Sequence, residues 1–152
     1  MTNDQLPDAG GSYTLVLALG QARVLTIGRL GEVVLPAGVY AYAGSAFGSG
    51  GLRARLGRHL RGDGVTHWHI DYLRAQARVA DCFYTVSDTP LECVWSRALA
   101  ALPGALIPVP GFGASDCRSG CGAHLIGLPE RADIRHVLAA VAPSTVVPLQ
   151  LR

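Results

Sequence analysis

The sequence predicts an α+β domain, a small mixed, mainly antiparallel β-sheet flanked by helices. Three observations carry the prediction. Residues 11–43 hold apolar, partly β-branched runs broken by glycine and proline, the pattern of short strands in a meander. Leu52, Leu56 and Leu60 then recur at i, i+4, i+8, the spacing of an amphipathic helix. Beyond them, strand signals at 79–86 and 124–128 alternate with helix signals opening at Pro90 and Pro129.

From Gly11 the run Ser-Tyr-Thr-Leu-Val-Leu-Ala-Leu is almost continuously apolar, which reads as a strand covered on both faces. Residues 23–27 and 32–35 read as two more strands, separated by Gly28 and Gly31. After a turn at 36–38, residues 39–43 alternate well enough for a fourth, with Tyr40 and Tyr42 on one face. Gly44 ends it, and a glycine-rich loop at 44–51 leads into the leucine-striped helix at 52–61. Residues 67–73 fit either a short helix or an extended segment, and 79–86 a strand. Thr89 and Pro90 then open a helix to about residue 102, since threonine caps well and proline suits a first turn. Residues 103–122, rich in Gly, Pro and Ser, are largely loop. A strand at 124–128 and a helix at 129–141 complete the reading.

With 152 residues, 49% of them hydrophobic, the chain suits one domain, 11–152, behind a polar, disordered tail at 1–10. Thirteen basic residues against 11 acidic give a formal +2, which excludes the strong overall positive field of a general nucleic-acid binder. Any such binding is local. All the basic residues are arginines, a bias that GC-rich coding produces by itself. The N-terminus has no basic start followed by an apolar run, and no apolar stretch is long enough to span a bilayer. A cytoplasmic location with no membrane contact is the expectation. The four cysteines are then expected as free thiols or metal ligands rather than a disulfide framework.

The chemistry concentrates around the leucine-striped helix. At roughly 100° per residue, Arg55 and His59 fall side by side at one edge of the stripe, half-sheltered at the rim of the core. Arg58 and Arg61 point to the solvated side, and Arg53 flanks the other edge. By spacing alone, Arg55 and His59 are either an ordinary i, i+4 pair or a catalytic one.

Tyr42-Ala43-Gly44, a glycine loop, and then Leu-x-x-Arg55-Leu-x-x-His59 resemble in type and order the second half of the GIY-YIG nuclease signature. The first half corresponds to Gly11-Ser12-Tyr13, at the head of the first strand. Gly38-Val39-Tyr40 stands too close to Tyr42 for the two tripeptides to occupy separate paired strands. The likeness is closer to a branch related to domains fused to endonuclease III homologues. Its motifs stand here as Gly44-Ser-Ala46, Gly50-Gly-Leu-Arg-Ala-Arg55, Arg58-His-Leu60, the stretch from His67 to Leu73, and Gly-Phe-Gly-x-Ser-Asp-Cys ending at Cys117.

The resemblance implies a GIY-YIG-like fold and metal-dependent phosphodiester hydrolysis, in DNA rather than RNA, with a DNA-repair protein as partner. It implies catalytic roles for Tyr13, Tyr42, Arg55 and His59, and one Mg²⁺ or Mn²⁺ on a later-helix glutamate. Of the three glutamates, Glu32 lies in the early meander and Glu130 near the C-terminal end, so Glu92 fits. Without a metal, Glu92 reads as an acid favoured in a first helical turn. Two departures stand out: Ser12 replaces an aliphatic residue, and Ser45 follows Gly44 where well-studied members often carry a basic one. Nucleic-acid contacts are expected from Ser45, Arg53 and Arg58, with backbone N–H groups of the loop assisting.

Two clusters remain. On an extended segment His67, His69 and Asp71 share a face, as metal ligands or proton-transfer groups do; on a helix that alignment disappears. Cys117, Cys121 and His124 offer three ligands for a structural Zn²⁺, with Cys82, Cys93, His67 or His69 as a fourth across space; the alternative is small buried residues in a loop. The leading expectation is thus an endonuclease. The alternatives are a non-catalytic nucleic-acid-binding accessory domain with the same fold and a zinc-stabilised interaction module.

Overall fold

A computed structural model describes residues 5–62, 66, 68–114, 120–142 and 144–151. The elements run β1 (Gly11–Leu19), β2 (Arg23–Ile27), β3 (Gly31–Leu35), β4 (Gly38–Ala46), α1 (Gly51–Arg61), α2 (His69–Arg74), β5 (Arg78–Val86), α3 (Glu92–Ala100), β6 (Leu125–Gly127), α4 (Ile134–Ala140) and β7 (Val147–Pro148). Five strands form one sheet in the order β6-β4-β1-β5-β7, with antiparallel pairing at each junction. β2 and β3 make a separate antiparallel hairpin. The α+β architecture is the one the sequence predicts.

β1 is central because it is buried on both faces, and helices cover both. Alternate residues Tyr13, Leu15 and Leu17 join Tyr40 and Tyr42 of β4 beneath Leu52, Leu56 and Leu60 of α1 and Ile70 and Leu73 of α2. On the other face Val16, Ala41, Ala43 and Phe83 pack against Trp95 and Leu99 of α3 and Leu138 of α4. Period two in the strands thus divides the core into two apolar layers. At about 25 cal/mol per Å² of apolar surface, these layers supply the main stabilisation.

Where the sequence reading and the structure differ, long-range partners account for the difference. Residues 5–10 are not a disordered tail: Leu6 is buried, and the carbonyls of Ala9 and Pro7 accept from the N–H groups of Leu52 and Arg53, both at 2.9 Å. The first turn of α1 has no side-chain cap, so this segment satisfies its orphan donors. Gly51, at φ 54°, allows that approach, since a Cβ there would stand 2.3 Å from the Ala9 carbonyl oxygen.

β4 runs past Gly44 to Ala46, held by the full length of β1, which shortens the glycine-rich loop to 47–50. α3 starts at Glu92, two residues after Pro90, without a threonine cap. The N–H of Leu91, just before it, donates instead to Ser12 Oγ of β1 at 2.9 Å. The last helix begins at Ile134, five residues later than expected, where the Asp133 side chain accepts from the His136 N–H at 3.2 Å. Among the described residues, no helix is long and apolar enough to cross a membrane.

Candidate active site

The site begins with the register of β1 on β4, which sets Tyr13 opposite Gly44. A Cβ at Gly44 would stand 2.6 Å from both Cζ and Oη of Tyr13, so the phenol lies flat across β4 only because that position has no side chain. Its hydroxyl reaches α1, where His59 Nε2 is 2.9 Å from Tyr13 Oη. Tyr42, on the same sheet face, sets its ring centroid 6.4 Å from those of Tyr13 and His59.

His59 is not at the rim, as the helical wheel suggests, but buried, because the Trp68 ring closes over it with centroids 5.6 Å apart. Burial lowers its pKa from 6.5 to about 4; Asp71 opposes the shift, and Arg58, Arg55 and Arg74 add to it. The imidazole is therefore neutral at pH 7. Among the described residues its Nδ1 has no hydrogen-bond partner, and it faces Asp71 Oδ1 at 3.8 Å. Burial raises the Tyr13 hydroxyl well above its usual range, with Tyr42 adding to the effect and Arg55 opposing it. Tyr42 is pushed up to about 12 by burial, again against Arg55. Both phenols are neutral.

Arg55 is half-buried, with Nη1 donating to the Ser45 carbonyl at 2.7 Å and its guanidinium 5.0 Å from the Trp68 ring centroid. Arg58 lies against the same ring at 4.5 Å and makes a two-pronged pair with Asp71, both contacts 3.1 Å. Its guanidinium therefore turns inward to that carboxylate rather than to the solvated side. Asp71 also accepts from the Trp68 N–H at 2.8 Å, which caps α2. Arg53, an exposed residue, donates from Nε to the Leu6 carbonyl at 2.8 Å. Neither Arg53 nor Arg58 lines the cleft, whereas Ser45 does.

Across from Arg55, Ser45 Oγ donates to Glu92 Oε2. Ser45 Oγ also lies 2.8 Å from Ser12 Oγ, which accepts from the Leu91 N–H. With Ser45's proton directed at the carboxylate, Ser12 donates to Ser45. The chain Leu91, Ser12, Ser45, Glu92 thus runs in one polar direction from the start of α3 back to its first residue. Ser12 is fully buried, so the Leu91–Ser12 bond forms away from bulk water, while Ser45 and Glu92 are half-buried at the cleft.

These groups share an open cleft of about 640 Å³, with Tyr13, Tyr42, Arg55, His59 and Glu92 all on its wall. Four elements contribute them: β1, β4, α1 and the first residue of α3. Together they place a neutral hydrogen-bonded phenol–imidazole pair, a guanidinium and a carboxylate around one space. Proton transfer, anion binding and ligation of a hard cation are all within the means of such a set.

Residues 12–146 match the family described as Domain of unknown function DUF123. The chain belongs to the DUF123 family. No curated protein and no solved structure matches it. The matched span holds every residue of the cleft.

Of the other residues singled out in this DUF123 chain, His69 also lines the cleft, where its Nδ1 accepts from the Gly113 N–H at 2.8 Å. Burial lowers its pKa. His69 and Asp71 lie on helix α2, so the shared face of an extended segment does not form, and the two do different work. His67 lies outside the described residues. Gly113, at φ 72°, belongs to the glycine-rich motif before Cys117; a Cβ there would meet Tyr42 at 2.8 Å, so the motif packs the loop onto that ring.

A second cluster lies beside the cleft. Cys93 Sγ, Cys121 Sγ and a His124 ring nitrogen all lie within 4.8 Å of one another and could hold a metal ion. Cys121 and His124 are two of the three expected ligands; Cys117 lies outside the described residues. Cys93, considered only as a fourth ligand, is central, while Cys82 is buried within β5, where burial pushes its thiol up. No local spacing signals Cys93, because it reaches Cys121 only through the packing of α3 on β4 and β6.

Proposed function

We propose that the cleft hydrolyses phosphodiester bonds in DNA, with one Mg²⁺ or Mn²⁺ at Glu92. The single observation that carries this reading is the Tyr13–His59 hydrogen bond of 2.9 Å in the same cleft as Arg55 and Glu92. The resemblance of these residues to the GIY-YIG nuclease signature supports it, and the relation of similar domains to endonuclease III homologues extends it to a DNA-repair partner.

A buried phenol is a poor base if it must first ionise. Tyr13 need not. In the His59 tautomer that carries its proton on Nδ1, toward Asp71, the Tyr13 O–H donates to Nε2, leaving an oxygen lone pair for the proton of a water in the cleft. As the water oxygen bonds to phosphorus, its proton passes to Tyr13 and the phenol's own proton to His59. The phosphorus–oxygen ester bond breaks, and the departing oxygen takes a proton from solvent. Asp71, 3.8 Å from Nδ1, favours the imidazolium formed in that step. Arg55 supplies positive charge where the phosphoryl oxygens gain negative charge.

Glu92 fits a hard divalent cation: it is one half-buried carboxylate with Oε2 oriented by Ser45, and Mg²⁺ binds through one or two carboxylates while keeping several waters. Such an ion, when bound, neutralises phosphate charge. Cys93, Cys121 and His124 form a softer donor set that suits zinc instead and takes no part in these proton transfers.

The test is incubation of the purified protein with plasmid and single-stranded DNA in Mg²⁺ or Mn²⁺, beside Arg55→Ala and Glu92→Ala. Metal-dependent cleavage by the wild type alone is expected. Equal cleavage by all three proteins would sink the assignment.

A further inference from the structure

We infer that Cys93, Cys121 and His124 bind a structural zinc ion that clamps the first turn of α3 to the loop before β6, and so fixes the wall of the cleft that carries Glu92. The assignment stands on the donor set alone and holds whether or not the cleft cleaves phosphodiesters.

The donors come from two parts of the chain: Cys93 is the second residue of α3, while Cys121 and His124 lie three residues apart just before β6. The backbone around them is fixed without metal. His124 N–H donates to the Phe112 carbonyl at 2.8 Å, Ala43 N–H to the His124 carbonyl at 3.0 Å, and Gly111 N–H to the Gly122 carbonyl at 2.7 Å. These bonds pre-form the site.

The side chains converge to a degree that ordinary packing does not require. The two sulfurs are 2.7 Å apart, and His124 Nε2 lies 3.2 Å from Cys121 Sγ and 3.4 Å from Cys93 Sγ. A disulfide would account for the approach of the sulfurs but gives the imidazole nitrogen no reason to face both. A shared cation accounts for all three contacts. A tetrahedral zinc ion about 2.3 Å from each sulfur and about 2.0–2.1 Å from the nitrogen needs the sulfurs roughly 3.7 Å apart and each roughly 3.5 Å from the nitrogen, so the nitrogen–sulfur edges are already near that size and the two thiols part by about 1 Å as they ligate. Two thiolates and an imidazole select zinc over Mg²⁺ or Mn²⁺, which prefer oxygen.

The location gives the clamp its consequence. Glu92 and Cys93 are adjacent in the first turn of α3, and His124 lines the cleft. Joining them anchors the carboxylate to the strand pair β4–β6, whose register sets Tyr42 beside Leu125. The connection from α3 to β6 is long in sequence for a compact domain, and the ion ties its Cys121–His124 end to α3.

The experiment is elemental analysis of full-length protein purified under reducing conditions without added metal, together with Cys93→Ser, His124→Ala and Glu92→Gln. About one zinc per chain is expected in the wild type and in Glu92→Gln, and near none in the two ligand variants. Replacement with Co²⁺ should give a thiolate-to-metal charge-transfer band, which requires sulfur ligation and is readable on wild-type protein even if the variants misfold. Metal-free wild type, a cobalt spectrum without sulfur bands, or a Cys93–Cys121 disulfide in peptide mapping would overturn the assignment. Loss of zinc in Glu92→Gln with retention in Cys93→Ser would do the same, placing the ion in the cleft instead.

Discussion

Ser45 Oγ donates a hydrogen bond to Glu92 Oε2, joining the end of β4 to the start of α3 across 47 residues of sequence. Ser45 in turn meets Ser12, so both positions that depart from the GIY-YIG-like pattern converge on one carboxylate. A positive side chain in the place of Ser45 would compete with a cation for Glu92; a hydroxyl orients the carboxylate and leaves its charge available.

Ser45→Ala is therefore expected to weaken metal binding rather than the chemistry. The Mn²⁺ concentration at half-maximal rate should rise by about 10–100-fold, with the rate at saturating metal near wild type. A metal titration of the cleavage rate checks it. Ser12→Ala should act in the same direction and also cost about 1–3 kcal/mol of stability, because it orphans the Leu91 N–H.

His59 should make the fold acid-sensitive. Its folded pKa of about 4 lies below the 6.5 of an exposed histidine, so the unfolded chain binds the proton more readily. Stability from keeping this ring neutral is fully present above pH 6.5 and declines as pH falls toward 4, by about 3 kcal/mol in all. Urea unfolding between pH 4 and 7.5 reads this slope. It should be shallower in His59→Gln, and identical slopes in the two proteins would rule the effect out.

Gly44→Ala places a methyl group against the Tyr13 ring and should destabilise the fold by about 1–3 kcal/mol. Gly48→Ala, where nothing lies within 4 Å, should stay within about 0.5 kcal/mol. Equal denaturation midpoints for the two variants would mean that the phenol does not lie across Gly44.

The legible parts of the fold were those with local periodicity. The apolar run of β1, the alternation in β4 and the leucine stripe of α1 marked three of the four elements that build the cleft, and the Tyr42-to-His59 order marked its residues. What escaped depends on contacts distant in sequence. Leu6 looks like tail until Ala9 and Pro7 supply acceptors for α1, and Pro90 marks a helix start that packing moves to Glu92. Arg58 looks solvated on a helical wheel, yet Asp71 and Trp68, from the next helix, draw it in. Ser12 and Ser45 read as weak points of a pattern, and only the pairing of β1 with β4 brings them into hydrogen-bonding distance.

The same pairing separates the two tyrosines. His59 bonds to Tyr13, whose ring spans Gly44, while Tyr42 packs edge-on against Phe112 and His59. Single-turnover cleavage of a DNA oligonucleotide in saturating Mn²⁺, compared for wild type, Tyr13→Phe and Tyr42→Phe, tests the central claim most directly. Tyr13→Phe should lose about 10²–10⁴-fold in rate, the usual share of general acid–base catalysis, while Tyr42→Phe stays within about tenfold of wild type. Wild-type cleavage by Tyr13→Phe would contradict the account.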